Sequence, residues 1–205
     1  MTLVELPDGA RLVLASASPR RSELLSSVGL DFDVVPADID ESVQPGETPS
    51  QYVARLSHEK ARVGAARVGG DVIVIAADTT VDVDGQILEK PMDDADARGM
   101  LRLLSGRTHL VHTGVTVSWF PETRARGTTT IVAETAVRFV ELTDRAIDWY
   151  LATGEHAGKA GAYGIQGAAG AFVERVDGSV TNVIGLPLAE TLALLAATVS
   201  STGSR

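Results

Sequence analysis

Apolar and polar positions change period several times along the chain, and the changes mark out its elements. Arg11 to Ala15 is a short apolar run that predicts a buried strand. Ser18-Pro19 then supplies an N-cap and a first helical position, and Leu24, Leu25 and Val28 follow at helical spacing until Gly29. Phe32 to Val35 predicts a second strand. A longer helix starts at Thr48-Pro49-Ser50-Gln51, where Thr48 and Gln51 have capping-box spacing, and its stripe runs Val53, Leu56, Lys60, Val63. Asp71 to Ala77, rich in β-branched residues, predicts a central strand with Asp78-Thr79-Thr80 at its end. Val81 to Leu88 reads as a hairpin about Asp84-Gly85.

A third helix is predicted from about Asp93 to Ser105, stopped by Gly106. Two alternating runs, Val111 to Trp119 and Ile131 to Phe139, predict long antiparallel strands joined by a polar loop. Thr143 caps a fourth helix, with Leu142 placed to staple onto Ile147. After a glycine-dense segment from Gly154 to Gly170 come a strand at Phe172 to Val176 and a last helix over about Pro187 to Val199. Buried parallel-type strands beside antiparallel hairpins imply a mixed sheet flanked by helices, in the α/β or α+β class. No repeat or linker divides the chain. Residues 1–199 therefore read as one domain, and 200–205 as a disordered tail.

Composition narrows the function classes. The 205 residues carry a formal charge of −9, which argues against a nucleic-acid polymer as partner. A small anion is still compatible, because a pocket can be basic on an acidic body. The absence of cysteine excludes disulfides, thiolate metal sites and a cysteine nucleophile. No segment has the length of a membrane span and no export signal opens the chain, so a cytoplasmic protein is expected. Of the 18 basic residues only three are lysines: Lys60, Lys90 and Lys159.

Each candidate constellation has a plain and a sharp reading. Arg20 and Arg21 sit in the first turn of a helix, where acidic side chains are favoured. They are either solvated or ion-paired, or they complete an anion site with the free N–H groups. Lys60 falls on the buried stripe of its helix and either snorkels or points into a cleft at a phosphate or carboxylate. Asp78 either caps its own turn or serves as metal ligand or general base at a strand end. The run Asp38-Ile39-Asp40-Glu41 is a solvated acidic stretch or a second carboxylate source. In an extended chain it would put Asp38 and Asp40 on one face and Glu41 on the other. Glu89-Lys90-Pro91 adds the second lysine. From Gly158 to Gly170 glycine recurs about every third residue around Lys159 and Gln166, as a packed loop or a close backbone approach to a ligand. It matches neither a Walker A loop nor a dinucleotide fingerprint, and no GxSxG elbow or zinc-type histidine spacing occurs.

In order along the chain, these motifs resemble the Maf family of nucleoside triphosphate pyrophosphatases. The resemblance is carried by Leu14-Ala15-Ser16-Ala17-Ser18-Pro19-Arg20-Arg21, Asp40-Glu41, Glu59-Lys60-Ala61, Ala76-Ala77-Asp78-Thr79, Leu88-Glu89-Lys90-Pro91 and Leu104-Ser105-Gly106. It continues through Lys159 to Gly167 and Asn182-Val183-Ile184-Gly185-Leu186-Pro187-Leu188, and spans about Leu12 to Leu195. The loop from Phe120 to Thr129 and the tail follow no family pattern.

The resemblance implies an elongated mixed sheet with two lobes and a central cleft, related to the inosine triphosphate pyrophosphatases. It implies hydrolysis of a nucleoside triphosphate to the monophosphate and pyrophosphate with Mg²⁺ or Mn²⁺, a homodimer, and an association with septum formation. Arg20, Thr79 and Gln166 match the branch acting on dTTP and UTP. By this resemblance Asp78 is the catalytic proton acceptor, and Glu41 and Asp78 hold the metal. Ser16, Arg20, Arg21, Lys60, Thr79, Lys90, Lys159 and Gln166 bind or select the substrate. Two other classes stay open: a non-catalytic nucleotide-binding regulator of cell division, and a phosphotransferase, against which the missing P-loop counts.

Overall fold

The structure, a computed structural model, describes residues 4, 6, 7, 9–120 and 127–200. Its centre is β3 (Val72–Val83), a twelve-residue strand buried along almost its whole length. On one side it pairs in parallel with β1 (Arg11–Leu14), which pairs in parallel with β2 (Asp33–Val34). On the other side it pairs antiparallel with β5 (Thr108–Phe120). Two more antiparallel strands, β6 (Gly127–Phe139) and β7 (Val173–Asp177), complete the order β2-β1-β3-β5-β6-β7. The short β4 (Gln86–Leu88) folds back on β3 through a turn with positive φ at Asp84 and Gly85, making the seventh strand. This is the mixed sheet flanked by helices that the sequence pattern implies.

Strand lengths create the site. β1 accompanies β3 only from Val72 to Ile75, and β4 rejoins the same edge only at Val81. Between them the edge of β3 is open, and Asp78 and Thr79 lie in the gap. Here the sequence reading needs correction. Asp78 does not end the central strand and Val81 does not start a separate hairpin, because β5 stays in register through the junction, with Asp78 opposite Gly114 and Thr79 opposite Thr113. On one face of β3, Ile73, Ile75 and Ala77 belong to one apolar core, and Val81 and Val83 to another. Thr79 stands between the two cores.

On the opposite face lies α2 (Pro49–Val68), started by the Thr48–Gln51 capping box that its sequence predicts. Two glycines let it lie flat. A Cβ on Gly64 would come within 2.6 Å of the Ala15 Cβ, and one on Gly114 within 2.3 Å of the Val53 carbonyl oxygen. Contacts that short are sterically prohibitive, so both positions require glycine.

The other helices are α1 (Pro19–Ser27), α3 (Asp94–Leu104), α4 (Asp144–Leu151), α5 (Val180–Ile184) and α6 (Leu188–Ser200). Thr143 caps α4 by accepting from the Ala146 N–H, and Leu142 and Ile147 share one core, as the staple requires. Ser18 occupies the N-cap of α1 but makes no side-chain cap bond. The glycine-dense segment forms two 3₁₀ turns, Ala160–Ala162 and Ala168–Phe172. Ser200 closes α6 and so does not belong to the expected tail, the rest of which lies outside the described residues. So does the middle of the Phe120 to Thr129 loop.

Candidate active site

The gap in β3 opens into a cavity of about 610 Å³. Every candidate site residue named from the sequence lines it: Ser16, Arg20 and Arg21 from the turn into α1, Glu41 from the acidic stretch, and Lys60 from α2. Asp78 and Thr79 come from β3, Lys90 from beyond β4, and Lys159 and Gln166 from the glycine-rich loop. The walls add Asp38 from the same acidic stretch, together with Tyr163 and the stretch Val183–Gly185, to which the sequence assigns no role at the site.

Lys60 is the floor. Its Nζ lies 2.6 Å from Asp78 Oδ1 and 2.5 Å from Glu41 Oε1, with only 7% of the lysine and 7% of Asp78 exposed. Buried lysine requires such partners, so the sharp reading of this position holds. Lys90 reaches the other oxygen of Glu41 at 2.6 Å. Burial pushes the Glu41 carboxyl toward a higher pKa, but the hydrogen bonds and charges of Lys60 and Lys90 outweigh it and bring the pKa down to about 2.

Glu41 is positioned from α2 as well. The Tyr52 hydroxyl donates to the Glu41 carbonyl at 2.9 Å, and burial together with the fields of Asp78, Glu89 and Glu41 pushes that phenol's pKa far up. Asp40 turns the other way and accepts from the Ser42 N–H and hydroxyl. Asp38 and Glu41 both line the cavity, contrary to the alternation expected of an extended chain, because residues 35–44 form no strand.

The opposite wall is cationic. Arg21 is buried, and burial lowers its pKa against the pull of Asp78. Its Nε donates to the Gly185 carbonyl at 2.8 Å, Nη1 to Ser16 Oγ at 3.1 Å, and Nη2 to Thr79 Oγ1 at 3.0 Å. Arg20 makes one long bond to the Ile184 carbonyl at 3.4 Å. The Lys159 ammonium donates to the Glu155 carbonyl, and burial followed by the charge of Arg20 lowers its pKa. Among the described residues, none of Arg20, Arg21 and Lys159 has a carboxylate within ion-pair distance. Three cations thus share a cavity without a neutralising partner on their side of it, which favours occupation by an anion.

Glu41 and Asp78 offer hard carboxylate oxygens at one point of the cavity. Among the described residues no cluster of three His, Asp or Glu side chains forms a complete protein-only cage. Two carboxylates suit Mg²⁺ or Mn²⁺, which completes its shell with water and substrate phosphate oxygens, so the donor set fits the implied metal.

Fold and site together define a mixed α/β protein whose central strand opens into a cleft of opposed cationic and acidic walls. The chain belongs to the Maf family, since the model for "Maf-like protein" matches residues 11–198. It is 57% identical over 185 residues to a dTTP/UTP pyrophosphatase of Anaeromyxobacter dehalogenans, covering 90% of this chain and 92% of that one. It is 49% identical to a dTTP/UTP pyrophosphatase of Vibrio cholerae, covering 91% and 97%. A HAM1 protein structure from Coxiella burnetii, 18% identical, superposes with a TM-score of 0.44 over 94% of this chain and 100% of that chain. No described helix is long and apolar enough to cross a membrane.

Proposed function

We propose that the protein hydrolyses dTTP and UTP to the nucleoside monophosphate and pyrophosphate. The observation that carries the reading is the placement of Arg20, Arg21 and Lys159, without carboxylate partners, across one cavity from the Lys60-bridged pair Asp78 and Glu41. A triphosphate supplies the negative charge that the cationic wall lacks. The buried carboxylate opposite supplies a proton acceptor. The names of the relatives support this reaction and this substrate class.

In the proposed reaction, water attacks the α-phosphorus and transfers its proton to Asp78, while the bond from the α-phosphorus to the α,β-bridging oxygen breaks and pyrophosphate leaves. Lys60, 2.6 Å from Asp78 Oδ1, holds that carboxylate in place before the attack. Arg20, Arg21, Lys90 and Lys159 balance the charge that develops on the phosphoryl oxygens, since phosphoryl transfer is mostly positioning and electrostatics. Glu41 and Asp78 would hold a divalent cation, which when bound supplies further charge neutralisation. Gln166 stands at the exposed rim of the cavity, where its amide can donate to and accept from the edge of a pyrimidine ring. The proposal includes the single domain, the homodimer, the cytoplasmic setting and the link to septum formation that the family resemblance implies.

The test is a panel of UTP, dTTP, CTP and GTP with Mg²⁺ or Mn²⁺, with identification of products. Monophosphate plus pyrophosphate from UTP and dTTP is the expected result. Tight binding of UTP without turnover would assign the protein to the regulators. A phosphorylated acceptor or orthophosphate would assign it to phosphotransfer.

A further inference from the structure

A chain of hydroxyls, half-buried at Thr79 and fully buried at Thr113, runs from Arg21 across the sheet from β3 to β5. Arg21 Nη2 lies 3.0 Å from Thr79 Oγ1, Thr79 Oγ1 lies 2.9 Å from Thr113 Oγ1, and Thr113 Oγ1 lies 3.1 Å from the Asn182 carbonyl oxygen. Thr113 is fully buried on β5, directly opposite Thr79. Its side chain does not line the cavity.

The direction of every bond in this chain is fixed by its two ends. A guanidinium can only donate and a carbonyl can only accept. Thr113 therefore gives its hydroxyl hydrogen to Asn182 and must accept from Thr79. Thr79 gives its hydrogen to Thr113 and presents a lone pair to Arg21. Among the described residues the one other acceptor bonded by the Thr79 hydroxyl is the Gly185 carbonyl, at a longer 3.4 Å. The far end is itself pinned. The side-chain nitrogen of Asn182, a fully buried residue, donates to the Val111 carbonyl and to Thr135 Oγ1, each at 3.0 Å. Thr135 in turn accepts from the Ser179 N–H at 3.0 Å.

We propose that Thr113 is a positioning residue for the substrate cleft: acting through Thr79, it fixes the Arg21 guanidinium in the orientation in which it meets the triphosphate. The inference rests on the pyrophosphatase reading above. Arg21 has five N–H donors, of which three are held by Gly185, Ser16 and Thr79, leaving one on each terminal nitrogen of a residue that lines the cavity. A fork of that kind recognises phosphate only while its plane is held. Without the Thr113 hydroxyl, Thr79 is free to turn its hydrogen elsewhere, and Arg21 loses the anchor on Nη2. The same chain gives Thr79 a role without direct contact to the nucleotide, because its hydroxyl is already engaged on both sides.

Thr113→Val keeps the shape and removes the hydroxyl. It is expected to lower kcat/KM for UTP about tenfold or more, the size of a lost, well-placed hydrogen bond to a charged group. Thr113→Ser is expected to restore most of that loss. In an Arg21→Lys background, which lacks the planar fork, Thr113→Val should change kcat/KM by less than about twofold. An equal loss in both backgrounds would overturn the proposal, since a purely structural role multiplies through. Nitrogen NMR of the Arg21 side chain gives a readout independent of turnover: slow guanidinium rotation in the parent protein and fast averaging in Thr113→Val are expected. Unchanged slow rotation overturns the inference. Should Thr113→Val not fold, Thr113→Ala is read in the same way. Should the parent protein release no pyrophosphate from any nucleotide, the pyrophosphatase reading fails, while the rotation measurement still decides whether Thr113 holds Arg21.

Discussion

Lys60 Nζ lies 2.6 Å from Asp78 Oδ1 at the buried floor of the cleft, joining the middle of α2 to the open edge of β3. The same ammonium serves Glu41, so one cation holds two carboxylates together. Lys60→Met keeps the bulk of the side chain and removes that charge. The two carboxylates are then left facing each other, and the variant should lose stability, by no more than the 3–5 kcal/mol or so typical of an uncompensated buried charge. Urea unfolding at pH 7 measures it. Turnover of UTP should fall by at least about a hundredfold, because Asp78 loses the group that orients it.

Asp78→Asn tests the proton acceptor. The amide is isosteric, and Lys60 keeps Glu41 as partner, so the fold should persist with an unchanged circular dichroism spectrum. Pyrophosphate release should be lost to about the detection limit, since an amide cannot take the proton of the attacking water. Near-parental turnover in the folded variant would remove Asp78 from that role.

The acid side of the stability profile has a separate origin. His109 is buried on β5, and its Nε2 shares a hydrogen bond of 2.8 Å with the Tyr163 hydroxyl. Burial lowers its pKa from 6.5 to about 4. Between those two values the unfolded chain binds a proton that the folded chain refuses, so stability falls as the pH drops from about 6.5 toward 4. His109→Gln keeps a hydrogen-bonding group and does not titrate. Thermal melts of this variant should show a shallower decline across that window than the parent. Parallel declines would show that His109 does not contribute.

Much of this site was legible because local rules and tertiary needs agree there. Lys60 follows Leu56 by four residues on a helix with a readable capping box, so its place on the buried stripe follows from spacing, while the choice between snorkelling and pairing in a cleft was settled only by Asp78 and Glu41. The three scarce lysines all line the cavity. The length of β3 was not legible. Asp78, Thr79 and Thr80 carry turn-type chemistry, and only the unbroken pairing with β5 keeps them in a strand. Helix α5, five residues long, is too short to show a period, although Ser179 caps it by accepting from the Asn182 N–H. The anchoring of Arg21 depends on partners 58 and 164 residues away, which no local pattern encodes.

Gln166 at the cavity rim is the group proposed to read the base. Gln166→Glu replaces the amide donor by a second acceptor and adds a negative charge beside the pyrimidine carbonyls. The ratio of kcat/KM for UTP over GTP should fall by about tenfold or more, because a site built on a hydrogen bond discriminates through it. An unchanged ranking across UTP, dTTP, CTP and GTP would place base reading on other residues.

The close seat of α2 on the sheet makes the last prediction. Gly114 stands opposite Asp78 in the β3–β5 ladder, and a Cβ there would lie 2.3 Å from the Val53 carbonyl oxygen and 2.9 Å from the Ala54 nitrogen. These are backbone atoms of a helix, so no side-chain rotation can make room. Gly114→Ala must either lift α2 or bend β5, at the roughly 1–3 kcal/mol or more typical of overpacking. For a chain of this size that lowers the melting midpoint by several degrees. Lifting α2 also draws Lys60 away from Asp78, since Lys60 lies less than two turns from Val53 on the same helix. The variant should therefore lose activity at temperatures where it is still fully folded. Gly99→Ala, inside α3 where a Cβ meets nothing within 4 Å, is the control and should melt no lower than the parent, with a gain of up to about 1 kcal/mol from helix propensity, and leave turnover at the parental value. Loss of stability in Gly114→Ala with full activity below its melting midpoint would show that the helix seat and the Lys60–Asp78 contact are independent.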